Sequence, residues 1–168
     1  ILLVFFASAG LAQAADFNIL PASGKFGLSQ EFNVDIKINS GAESINAAQA
    51  KIKYNPAVLE VKSISKDGSV FNFWLEGPEF SNTAGEIKFI GGTPNGVSGA
   101  SLEVLKIQFV AKSIGLSEIS FIDAAITAAD GSGNNVLSSS NGASFNVVSA
   151  AGIPASAENI SVATPVQI

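Results

Sequence analysis

The chain has 168 residues, of which 47% are apolar and 14% charged, and its net charge is −5. That length fits one domain with short attachments, and so little charge argues against disorder. The sequence holds no His, Cys, Met or Arg. Their absence removes Ser-His-Asp and Cys-His catalysis, thiol redox chemistry and the usual zinc sites. It also removes the planar fork that reads phosphate, and the negative charge repels nucleic acid.

Residues 1–11 (ILLVFFASAGL) are apolar, and the small-x-small triplet Ala12-Gln13-Ala14 precedes Asp16, where polar sequence opens. Interrupted by Gly10, the run is too short to cross about 30 Å of hydrocarbon. Residues 1–14 therefore read as a secretory leader lacking its basic start. The expectation is an exported protein, secreted or held at a cell surface, with its domain over residues 15–148.

Within the domain, alternation dominates. Phe32, Val34, Ile36 and Ile38 alternate with Glu31, Asn33, Asp35 and Lys37, the clearest half-buried strand. Ala48, Ala50, Ile52 and Tyr54 alternate with Gln49, Lys51 and Lys53, and Asn55-Pro56 marks a turn before a strand at 58–64. In the next strand, period two places Phe71, Phe73 and Leu75 inward and Asn72 and Trp74 outward. An outward Trp74 would serve as a sugar-stacking platform or a protein anchor.

Glu76 and Glu79 flank Gly77-Pro78 beside that Trp. A glycosidase needs two carboxyls set across a cleft, and a surface turn carrying solvated acids accounts for this pair more simply. Ile87 and Phe89 continue the alternation, residues 93–99 (TPNGVSG) read as turn material, and residues 102–111 form a longer apolar strand. Shorter strands follow at 116–121, 124–128 and 143–148. Between the last two, Asp130, Ser132 and Asn134 alternate as oxygen ligands do in a calcium loop, but Asn141 stands where an EF-hand needs a bidentate Glu. A Gly-rich hairpin turn explains the segment without metal, and no cofactor is expected. Calcium near Asp130 is the weaker reading. Residues 149–168 are rich in Ala, Ser and Pro without periodicity, a linker leading toward an anchor or a further domain.

About nine strands with no helical period predict an all-β fold, a two-sheet β-sandwich. A parallel α/β fold would need intervening helices, for which there is no room.

The ordered motifs carry a resemblance. Residues 48–61 (AQAKIKYNPAVLEV) resemble the hallmark stretch of the cohesin domain, an alternating strand ending in Tyr, an Asn-Pro turn and a Val-Leu-Glu-Val strand. Residues 27–38, Gly85-Glu86-Ile87-Lys88-Phe89, residues 102–112 (LEVLKIQFVAK) and the turn at 129–134 (ADGSGN) are similar to further cohesin motifs in the same order. The resemblance implies a jelly-roll sandwich and a non-catalytic scaffolding module that holds dockerin-bearing enzymes, often glycoside hydrolases. It also implies that the partner sits on a sheet built from residues 47–54, 70–75, 86–91 and 116–121. Alternation then puts Ala47, Gln49, Lys51, Asn72, Trp74, Lys88, Ile90, Glu118 and Ser120 on the partner-binding side. Where dockerin-binding cohesins carry Asn and Asp on the third strand, this sequence has Ala47 and Gln49. A carbohydrate-binding module using Trp74 on a polysaccharide, or a structural unit of a surface adhesin, are the alternatives.

Overall fold

Alternating apolar residues have only one way to leave water together, which is for two sheets to close face to face. The computed structural model describes residues 14–149, and among them there are eleven strands and no helix. In chain order these are β1 (Ala15–Leu20), β2 (Ser23–Gly27), β3 (Glu31–Asn39), β4 (Ile45–Lys53), β5 (Leu59–Ser65) and β6 (Phe73–Ser81). They continue with β7 (Glu86–Val97), β8 (Leu102–Ala111), β9 (Gly115–Ala128), β10 (Leu137–Asn141) and β11 (Ala143–Val148). A five-stranded sheet runs β10-β1-β3-β8-β5 and a six-stranded sheet runs β2-β11-β9-β4-β7-β6. The predicted leader and tail linker lie, but for Ala14 and Ser149, outside the described residues.

The core is the space between the sheets. On β3, Phe32, Val34, Ile36 and Ile38 are all buried, as the alternation requires. They meet Ala50 and Ile52 of β4, Ile87 and Phe89 of β7, and Phe145 and Val147 of β11 in one apolar cluster. Aromatic rings tie the layers: Phe17 of β1 stacks on Phe121 of β9 at 4.9 Å between centroids, and Phe26 of β2 stacks on Phe32 at 3.8 Å. Each such side chain contributes about 1.5–3 kcal/mol by leaving water.

The strand count differs from the expected nine for two reasons. The segments at 116–121 and 124–128 are one strand, β9, whose register against β4 shifts between Lys51 and Ile52 as Ile122 is inserted opposite them. β1, β2 and β10 are short, and their value lies in pairing: β1 with β10 and β2 with β11 are both parallel. The expected turn at 93–99 is instead mostly strand, because β7 runs on to Val97, which pairs with Ile45.

One polar contact joins the sheets at an edge. Asn82, after β6, accepts from the Tyr54 hydroxyl at 2.6 Å and from the Val61 N–H at 2.8 Å, and its amide donates to the Val61 carbonyl at 2.9 Å. Tyr54 is 4% exposed. Burial, with the nearby Glu60 charge second, pushes its phenol up from its ordinary value of 10.0 to about 12. The unfolded chain therefore releases this proton near pH 10 and the folded chain near pH 12. The stabilisation is complete below pH 10 and lost as pH rises through 12, about 2–3 kcal/mol in all. Since Tyr54 is the one tyrosine, tyrosinate absorbance at 295 nm should rise with a midpoint well above 10 in the folded protein. A midpoint at the free value would contradict the buried contact.

Candidate partner-binding face

β4, β6, β7 and β9, the strands expected to carry the partner surface, are four consecutive strands of the six-stranded sheet. Their inner face is packed, and no other element of the described residues covers their outer one. Ala47, Gln49 and Lys51 of β4 alternate with buried Ala48, Ala50 and Ile52, so they face outward as period two requires. Lys88 and Ile90 of β7 do the same around buried Phe89. Register sets the neighbours: Gln49 lies opposite Ile90, and Lys51 lies opposite Lys88 on one side and Asp123 on the other. Ser120 lies opposite Lys53, whereas Glu118 pairs with Ser144 of β11 and stands apart from this group.

β6 departs from expectation. Phe71 is buried and Asn72 exposed, but Phe73 is 61% exposed, Leu75 is 73% exposed, and Trp74 packs against the core. The predicted outward Trp74 is thus turned inward. The reason is a change of sheet. The Val70 N–H bonds to Glu103 of β8 in the five-stranded sheet, and the Asn72 N–H bonds to Gly92 of β7 in the other. Between them the backbone is not a strand, so the parity counted from Phe71 does not carry into β6. Trp74 then faces Gly91, its register partner. A Cβ on Gly91 would stand 2.8 Å from the Trp74 ring, so the indole fills the room that the glycine leaves. Phe71 and Phe89 meet that ring edge-on, each at 6.2 Å, and Lys66 Nζ lies 5.6 Å from its centroid.

The register shift between Trp74 and Glu76 inserts Leu75 as an extra residue, leaving both Leu75 and Glu76 on the Ile90 side. The outcome is an open apolar groove of about 510 Å³ lined by Phe73, Leu75, Ile90 and Pro94 over Gly91 and Gly92, with Ala47 and Asn72 also lining it. Phe73 and Leu75 are the site residues that period two assigned to the core. The available signal was the Gly91-Gly92 pair, a place in a strand where a large neighbour can fit.

Beside the groove the charges are paired. Lys88 bonds Glu76 and reaches Glu79 at 3.3 Å. Gly77-Pro78 lies within a second register shift of edge strand β6, so the two acids flank a bulge on an open sheet face and not a surface turn. The hydrogen bonds that Lys88 donates to Glu76 and then to Glu79 raise its pKa. Glu86 bonds Lys51 at 3.3 Å and Lys53 at 3.4 Å, and its carboxyl is held below the usual range by the Lys51 hydrogen bond first. At the Gly-rich turn, Asp130 Oδ1 accepts from the Ser132 N–H at 2.9 Å and its hydroxyl at 2.6 Å, which lowers the Asp130 pKa. This is a side-chain-closed turn. Among the described residues no cluster of three acidic, His or Cys side chains could hold a metal ion.

This architecture defines a two-sheet β-sandwich module with an open sheet face. The chain belongs to the cohesin domain family, whose model matches residues 20–147. Among solved structures it is similar to the seventh ScaB type I cohesin from Pseudobacteroides cellulosolvens, with a TM-score of 0.68 and 17% identity over 84% of this chain and 96% of that one. It is also similar to a chain of a type I cohesin–dockerin complex, Coh-OlpC-Doc435, from Clostridium thermocellum (TM-score 0.66, 13% identity, 80% and 93% covered). A non-cellulosomal cohesin from the archaeon Archaeoglobus fulgidus gives a TM-score of 0.64 at 20% identity, covering 81% and 91%. None of the curated proteins matches the sequence.

Proposed function

We propose that this chain is a non-catalytic attachment module that holds a dockerin-type partner on the outer face of β9-β4-β7-β6. Membership of the cohesin family supports the reading. The observation that carries it is the uncovered face itself, where Phe73 and Leu75 are more exposed than any other Phe or Leu of the described strands. Large exposed apolar side chains grouped on one surface mark interaction sites. The leader pattern at 1–14 supports export, and a scaffold or cell surface linked to polysaccharide breakdown is the setting proposed for it. The inward turn of Trp74 removes the one platform on which a polysaccharide reading relied. The direct test is calorimetry of the purified chain against a panel of purified dockerins with calcium, in parallel with affinity electrophoresis on soluble and insoluble glycans. Binding to at least one dockerin with no retardation by glycan is expected. Retention by glycan alone would overturn the proposal.

A further inference from the structure

Taking that face as a partner surface, we infer that its partner inserts one bulky aliphatic or aromatic side chain between Phe73, Leu75 and Ile90 and carries Lys or Arg close by. The walls of the groove bear no charge. An apolar side chain placed there meets apolar surface on both flanks, while a charged one would be desolvated without a counter-ion. The basic requirement comes from the surrounding strands. Their outer face bears Lys51, Lys53 and Lys88 against Glu76, Glu79, Glu86, Glu118 and Asp123. The three lysines are already joined to Glu86, Glu76 and Glu79. Asp123 and Glu118 are exposed, and neither has a lysine within ion-pair distance among the described residues. The face therefore holds a negative remainder, and a cationic partner complements it.

Geometry fixes the spacing. Asp123 lies two strands from Ile90 and one pair of residues along, which is about 12 Å by strand spacing and rise. That distance is about two turns of helix. A helix whose apolar anchor and basic residue are separated by about two turns would satisfy both at once. On this reading binding is anchored at the β6 edge, and the β4 residues Ala47 and Gln49 need not supply the charged contacts that the family pattern places there.

The test uses whichever dockerin of the panel binds the chain, measured against Phe73→Ser, Leu75→Ser, Asp123→Lys and Gln49→Ala, each checked for an unchanged unfolding midpoint. Both apolar substitutions replace exposed residues, so folding should persist. The expected result is a loss of about 30-fold or more for each of them. A loss of about fivefold is expected for Asp123→Lys, shrinking at high salt, and little change for Gln49→Ala. Tight binding that survives Phe73→Ser and Leu75→Ser would overturn the anchor while leaving the attachment function intact. If no dockerin binds, the attachment proposal fails by itself, and the groove is probed by amide chemical shifts with N-acetyl-leucinamide. Shifts confined to residues 73–75 and 90–92 would sustain an apolar anchor site, and none would overturn it. Concentration-dependent dimers abolished by Leu75→Ser would assign the groove to a second copy and overturn the proposed partner chemistry.

Discussion

Trp74→Ala is expected to lower the unfolding free energy by about 2–3 kcal/mol, the lower end of the cost of emptying an aromatic site because the ring is partly exposed. The indole closes the β6 end of the core, edge-on to Phe71 and Phe89 and over Gly91. Its removal leaves a gap that the sheet cannot close, since Gly91 brings no side chain to fill it. Urea denaturation followed by circular dichroism reads the effect as a lower midpoint at unchanged slope. A Trp74 that served a partner and not the core would leave that midpoint in place. The same geometry predicts coupling. Gly91→Ala should be costly with Trp74 present, because the new Cβ would stand 2.8 Å from the ring. It should cost less in the Trp74→Ala background, where the Phe71 ring at 3.2 Å is still close, and a double-mutant cycle on the four proteins measures the difference.

Asn82→Ala is expected to cost about 2–4 kcal/mol, since it strands more than one buried polar group at once. The Asn82 side chain takes the Tyr54 hydroxyl and both backbone groups of Val61, and Val61 lies on β5, an edge strand of the opposite sheet. Truncation leaves the N–H and carbonyl of buried Val61 without this partner and leaves the Tyr54 hydroxyl with the Ser81 carbonyl, at 3.3 Å. Tyr54→Phe removes only one of the three bonds and should cost about 1 kcal/mol. Asn82→Asp keeps the two acceptor contacts and loses the donor to Val61, so it should fall between them. Thermal unfolding of the three variants ranks them, and equal costs for Asn82→Ala and Tyr54→Phe would show that the Val61 bonds carry no weight.

Much of the fold was legible in the residues. The alternation from Phe32 to Ile38 and from Ala48 to Ile52 is strict, and both faces came out as read. Ala47, Gln49, Lys51, Lys88 and Ile90 lie on neighbouring strands of one face for the same reason. β1, β2 and β10 were not legible, because five or six residues with mixed polarity gain their stability from partners distant in sequence. β10 is the plainest case: Leu137 and the serines after it become a strand only because β1 offers them an edge.

The sequence alone determined which strands exist wherever period two runs unbroken, together with the family that their order resembles. It also decided which chemistries are unavailable to a chain with no His, Cys or Arg. Tertiary structure decided the phase of β6, and with it whether Trp74 or the Phe73–Leu75 pair meets a partner. Period two is a property of an unbroken strand. Between Val70 and Asn72 the chain leaves one sheet for the other, and the parity is set anew where Gly91 leaves room for an indole beneath the sheet.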